Sequence, residues 1–259
     1  MTRLVSSPTH LTHMLFRKRR LTAEEAFALD DTEEQPQRPR RPVRDGLVRV
    51  GKVALKVFVA YYVLCVLLLV AYRWVSPPTT GVRIQRRLEG TPAREHHRVA
   101  LTAMSKHAPR AVVVAEDGRF WKHWGYDLEE MQDASLSAVG GGRMRGASTI
   151  TQQLVKNLFG CACRNPIRKV YDLTLTPAAE IILGKHRILE LYLNEVEWGD
   201  GIYGIDAAAR AGYGVGADRL TRTQSAGLAA LLPNPRRRTL ANTGAYRREI
   251  IRRMRYRGW

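Results

Sequence analysis

Cysteine is scarce in this 259-residue chain, acidic residues are outnumbered, and strand-like alternation is hard to find. Three cysteines, Cys65 in an apolar run and Cys161 and Cys163 one residue apart, form neither a disulfide framework nor a zinc-ligand spacing. No thiol or structural-metal chemistry is assigned to them. Asp and Glu total 24 against 42 Lys and Arg, a formal charge of +18. That imbalance points to an anionic partner, and nucleic acid, acidic lipid and pyrophosphate all qualify. There is no internal repeat. Helix-period patterns predominate over alternating ones, so the fold expected is mainly α with one core of ordinary size.

The chain divides by composition. Residues 1–50 combine Arg17-Lys18-Arg19-Arg20, an acidic stretch at 30–34 and a Pro/Arg-rich run at 35–42, which cannot build a core and reads as a disordered basic tail. Residues 57–72 are uncharged and almost wholly apolar, flanked by Lys56 and Arg73. Counted as 53–75, the segment reaches the ~20 residues a transmembrane helix needs. A cleaved signal peptide is disfavoured, because the run starts far from the N-terminus and no small-residue cleavage site follows it. Arg38, Arg40, Arg41, Arg44, Arg49 and Lys52 precede the span and form a denser cluster than Arg83, Arg86 and Arg87 beyond it. The tail is therefore expected in the cytoplasm and residues 77–259 outside, in the periplasm or extracellular space, on an inner-membrane single-pass anchor. Nucleic acid is not normally found there, which sets aside a DNA-binding reading of the charge. Helix candidates follow at 173–183, 187–192 and 224–232, and with the chain ending at Trp259 one catalytic domain is expected and no second enzyme domain behind it.

Three stretches carry chemistry. Residues 115–125 place Glu116 and Asp117 directly after the apolar run 111–114. A carboxylate half-buried at such a point has a raised pKa and can act as a general base near neutral pH. Residues 143–159 read as a helix start, with Ser148 or Thr149 as N-cap and Thr149 and Gln152 at capping-box spacing. Gln152 and Lys156, and likewise Gln153 and Asn157, stand one turn apart and form a polar stripe opposite Ile150, Leu154 and Leu158. Residues 164–172 read as a helix with Asn165 at the cap and Pro166 at its first position. Arg168 and Lys169 in that first turn oppose the helix dipole and make better sense beside a bound anion. Asp172 lies one turn after Arg168.

Together these stretches resemble the family 51 glycosyltransferases, the peptidoglycan polymerases found alone or as the first domain of bifunctional penicillin-binding proteins. The family pattern Glu-Asp-x-x-Phe-x-x-His-x-Gly is met by Glu116, Asp117, Phe120, His123 and Gly125, and Gly-x-Ser-Thr-Ile-Thr-Gln-Gln-x-x-Lys-Asn by residues 146–157. A later motif matches at 188–194, followed by 199–204 and 207–209, and the likeness extends from about residue 77 to the C-terminus. The resemblance implies a mainly helical, lysozyme-like fold with a part near the membrane that admits lipid chains. It implies polymerisation of lipid II, the undecaprenyl-pyrophosphate-linked disaccharide peptide, into glycan strands by inverting transfer. Glu116 would be the catalytic base and Asp172 the second carboxylate. Asp117, Phe120, His123, Ser148, Thr149, Gln152, Gln153, Lys156, Asn157, Arg164, Arg168 and Lys169 would serve substrate binding. Positive charge from Lys156, Arg164, Arg168 and Lys169 would steady the pyrophosphate, with or without a divalent cation (Mg or Mn) held by Asp172 or Glu116. No nucleotide or organic cofactor is implied.

Two positions depart from the pattern. The family's Arg-Lys-x-x-Glu appears as Arg168-Lys169-Val170-Tyr171-Asp172, so the second carboxylate is shorter by about 1.5 Å. Pro177 falls inside the helix expected to carry Asp172 and Glu180, where it would delete a hydrogen bond and introduce a kink. Two other readings share the sequence features. One is a lysozyme-like hydrolase or lytic transglycosylase, which has no need of a pyrophosphate cradle. The other is a catalytically weak scaffold that binds lipid II and recruits other cell wall synthesis proteins.

Overall fold

A computed structural model describes residues 42–91, 95–139, 148–160 and 166–259; for residues 42–45, 135, 137–139 and 166–172 the description covers the backbone alone. The chain falls into two units, Met1–Val53 and Ala54–Trp259. The described part of the first is the opening of helix α1 (Pro42–Tyr72). Within that helix, Gly46–Tyr72 is long and apolar enough to cross a membrane. Leu47, Val50, Val53, Leu55, Val57, Val59 and Leu67 all lie exposed along it. Apolar side chains uncovered around most of a helix are matched by lipid and not by water. The helix ends at Tyr72, and residues 73–75, expected within the span, turn away from it through Arg73 N–H to Val70 O and Trp74 N–H to Ala71 O.

The second unit is built mainly from helices: α2 (Gly81–Leu88), α3 (His107–Glu116), α4 (Leu128–Val139), α5 (Ile150–Phe159), α6 (Pro166–Glu195), α7 (Ile205–Tyr213), α8 (Arg222–Ala229) and α9 (Gly244–Tyr256). A small sheet of β1 (Glu95–His96), β2 (Glu197–Gly199) and β3 (Ile202–Tyr203) runs in the order β1-β3-β2, with β1 parallel and β2 antiparallel to β3. Helix α3 runs through the core. Its Ala108, Ala111, Val112, Val113 and Val114 are buried against α8 and α9, and each valine contributes roughly 1.5–3 kcal/mol by leaving water. Because α3 is buried along its length, the residue at its C-terminal end, Glu116, is held rigidly where the helix emerges.

The last turns of α1 belong to this unit. Cys65, Leu69 and Tyr72 recur at helical spacing and are buried in the same core. Tyr61 donates its hydroxyl to Phe159 O at 2.7 Å, and Tyr72 stacks on Phe159. Arg187 donates to Tyr72 O and Val75 O at 2.9 and 2.8 Å, and Arg73 to Ile182 O at 3.1 Å.

Helix α6 begins at Pro166, as its sequence signals required, and runs through Pro177. Inside α6 the backbone leaves helical angles at Gly184, with φ 72° and ψ 160°, and not at Pro177. The carbonyl that Pro177 cannot serve is that of Leu173, one turn earlier. Tyr126 supplies the missing donor, its hydroxyl lying 2.7 Å from Leu173 O. The break separates the candidate helices at 173–183 and 187–192, and the candidate at 224–232 corresponds to α8 with the turn that follows it.

Candidate active site

The site forms where the C-terminus of α3 meets the N-terminus of α5. Thr149, not Ser148, is the N-cap: its Oγ1 accepts from Gln152 N–H, and Gln152 Oε1 accepts from Thr149 N–H, a complete capping box. The same hydroxyl donates to Gly125 O at 2.6 Å. Asp117, the residue that closes α3, accepts from Ile150 N–H at 3.0 Å. Another contact of Asp117 is with His123 Nε2, 2.9 Å away. Gly125 N–H donates to His123 Nδ1 at 3.1 Å, so the imidazole proton sits on Nε2 and points at Asp117. These bonds fasten the loop after α3 to the first turn of α5, whose N–H groups have no partner within the helix itself.

That stitching aims Gln153 at Glu116. Gln153 Nε2 donates to Glu116 Oε2 at 2.9 Å. Glu116 is only part-exposed, and burial raises its pKa. The Gln153 bond and the positive charges of Arg238 and Lys156 pull the other way, while Asp117 adds to the rise. The environment thus keeps a carboxylate that is basic for its kind yet faced by two cations. Asn157 turns its amide back to Gln153 O at 2.8 Å, and Ser148 is exposed with its carbonyl 3.5 Å from Gln153 Nε2.

Other residues expected at the site sit behind it. Phe120 is fully buried, meets Trp121 and His123 edge-on, and carries the Lys185 ammonium 4.3 Å above its ring. Thr149 is buried as well. Lys185 and Thr151 both bond the buried Glu180, at 2.7 and 2.6 Å. Arg168, Lys169 and Asp172 lie on α6, and their side chains fall outside the described residues, as does Arg164 altogether. Arg238 and Tyr192 had no role in the sequence reading. Arg238 follows Pro233-Asn234-Pro235 in a run of three arginines, which is the one local hint of it. Tyr192 sits within the recognised stretch 188–194 with nothing to mark its hydroxyl.

Asp117, His123 and Asp127 each bring a ligand atom within 4.8 Å of the others, close enough to hold one metal ion. All three are already engaged. Arg119 grips both oxygens of Asp127 at 2.7 and 2.9 Å, Glu130 N–H adds a third bond, and neither ring nitrogen of His123 has a lone pair to spare. A metal there would displace the Arg119 pair and the His123 proton.

A family model described as Transglycosylase matches residues 83–256. The chain belongs to the transglycosylase family. Among its relatives, a protein named biosynthetic peptidoglycan transglycosylase from Ectopseudomonas mendocina (strain ymp) is 42% identical over 185 residues, covering 70% of this chain and 76% of the relative. Proteins of the same name from Rhodospirillum centenum (strain ATCC 51521 / SW) and Stutzerimonas stutzeri (strain A1501) are 44% and 41% identical over 183 and 211 residues. They cover 71% and 79% of this chain and 79% and 85% of their own lengths. The matched region of this transglycosylase includes Glu116, Gln153, Lys156, Tyr192 and Arg238, so every group described around the carboxylate lies inside the family domain.

Proposed function

We propose that this transglycosylase is a peptidoglycan glycosyltransferase of cell wall synthesis that polymerises lipid II into glycan strands by inverting transfer, with Glu116 as the general base. The observation that carries the reading is the part-buried Glu116 carboxylate, held by Gln153 and faced by Arg238 and Lys156. Glu116 takes the proton of the acceptor sugar's 4-hydroxyl as that oxygen bonds to the donor's anomeric carbon. The bond from that carbon to the lipid pyrophosphate breaks on the opposite face, its electron pair leaving with the phosphate oxygen. Inversion follows from attack opposite the leaving group. Pyrophosphate is a good leaving group, so the site needs cations rather than a strong acid. Lys156, with Arg164, Arg168 and Lys169, is assigned to the pyrophosphate, and Asp172 is assigned as the second carboxylate.

Helix α1 is assigned as a single-pass anchor in the cytoplasmic membrane, with the basic tail inside and the enzyme domain on the periplasmic or outer side. Exposed Trp121, Trp124, Leu128, Met131, Leu173 and Ile181 give that domain an apolar skin suited to lipid. The decisive experiment incubates the detergent-solubilised chain with lipid II, with and without added Mg or Mn, and separates products by size. Polymer is expected from the wild type and none from Glu116→Gln, with precursor binding retained by the variant. Lys156→Ala is expected to lose donor binding and turnover together. Soluble muropeptides released from purified cell wall would instead identify a hydrolase.

A further inference from the structure

Tyr192 lies on the second half of α6, fully buried, with its hydroxyl 2.8 Å from Gln153 Oε1. The Gln153 amide is polarised from both ends. Its Nε2 faces two acceptors, Glu116 Oε2 at 2.9 Å and Ser148 O at 3.5 Å, while its Oε1 receives the Tyr192 proton. A flipped amide would set its oxygen against the carboxylate and forfeit both acceptor contacts. We propose that Tyr192 is a positioning residue for the base: its hydroxyl locks the Gln153 amide, so that Nε2 holds one oxygen of Glu116 and leaves Oε1 to receive the proton of the acceptor sugar.

The proposal rests on the reading of Glu116 as base. It also moves Gln153 from the substrate-binding set to the machinery that orients that base. The charged and titratable groups facing Glu116 are Lys156 from α5, Arg238 from the segment after α8, Asp117 at the end of α3 and Tyr192 from α6. From α9, Tyr246 donates to the neighbouring Ala115 O at 3.0 Å. Burial, aided by Glu116 and Asp117, pushes the Tyr192 phenol well above its ordinary value, so it keeps its proton throughout the working pH range.

The test uses the solubilised full chain and lipid II. A hydrogen bond to the ionised form holds a carboxyl's pKa down, so its loss moves the acid limb of the kcat profile upward. For Tyr192→Phe the expected move is about half a pH unit, with kcat lowered about five-fold and KM within about two-fold of wild type. For Gln153→Met the expected move is about one unit. Because Tyr192 acts through Gln153, Tyr192→Phe/Gln153→Met should be no slower than Gln153→Met alone. An unmoved acid limb in Tyr192→Phe, or effects that multiply in the double variant, overturns the proposal. If the tyrosine variant fails to fold, an unmoved limb in Gln153→Met overturns it as well. Glu116→Gln, run beside them, separates the two levels: residual polymerisation there removes the base itself, whereas a dead Glu116→Gln with a silent Tyr192→Phe removes only the positioning role.

Discussion

Thr149→Val is the sharpest probe of how the site is held, because valine keeps the shape of threonine and deletes one oxygen. That oxygen makes two bonds: it accepts from Gln152 N–H at the cap and donates to the buried Gly125 O. Loss of a helix cap costs about 1 kcal/mol, and a buried carbonyl left without a donor costs about 1–3 kcal/mol more. The sum, about 2–4 kcal/mol, falls on a unit that runs Ala54–Trp259. At about 2–4 °C per kcal/mol for a domain of that size, the midpoint should drop by about 4–16 °C. Thr149→Ser restores both bonds and should stay within about 2 °C of wild type. The assay is thermal unfolding by far-UV circular dichroism in one detergent at one scan rate, since unfolding of such a protein is apt to be irreversible. Polymerisation measured well below every midpoint should also fall in Thr149→Val, because the first turn of α5 aims Gln153 at Glu116. A valine variant as stable as wild type, or a serine variant as damaged as valine, would refute the accounting.

Gly125 has φ +88°, and a Cβ added there would meet Thr176 Cγ2 at 2.6 Å and Glu180 Cγ at 3.3 Å. Gly125→Ala should therefore destabilise by about 2–5 kcal/mol, combining left-handed strain with overpacking; Thr176→Ser in the same chain should recover the packing part alone, as read by the unfolding midpoint. His96, pressed by burial and by Arg83 and Arg98, has a pKa lowered to about 4. Between its ordinary value of 6.5 and 4 the unfolded chain binds a proton that the folded chain does not, so this residue's contribution to stability is lost as pH falls through that window. The slope is at most about 1.4 kcal/mol per pH unit, and midpoints of His96→Asn should vary less with pH than wild type between pH 6.5 and 4. Arg238 helps hold Glu116 in its ionised form, so Arg238→Gln should move the acid limb of the polymerisation profile upward. A limb that stays put or moves down would take Arg238 out of the site.

Local signals were legible and long-range ones were not. Thr149 and Gln152 stand at capping-box spacing and form one; Pro166 starts a helix as its missing N–H allows. The gap between two helix-period runs coincides with Gly184, whose positive φ no other residue type adopts as easily. What the pattern could not supply were partners distant along the chain. Pro177 announces an orphaned carbonyl at Leu173, but nothing local announces that Tyr126, 47 residues from Leu173, serves it. Phe120 belongs to a motif, yet nothing near it announces that the Lys185 ammonium lies over its buried ring. Arg238 bonds Ala230 O and lies over the Tyr246 ring, close enough for its charge to act on Glu116, and no periodicity encodes that.

The docking of the last turns of α1 onto Phe159, Ile182 and Arg187 has a practical corollary. From Tyr61 to Tyr72 the helix does not run free into a loose linker: its last turns lean on the enzyme domain through one hydroxyl bond, one stacked ring pair and three buried side chains. Trimming the chain at residue 77 to obtain a soluble enzyme would strip Cys65, Leu69 and Tyr72 from the core they complete. The shortened protein would also lose the Tyr72 ring that stacks on Phe159 at the end of α5.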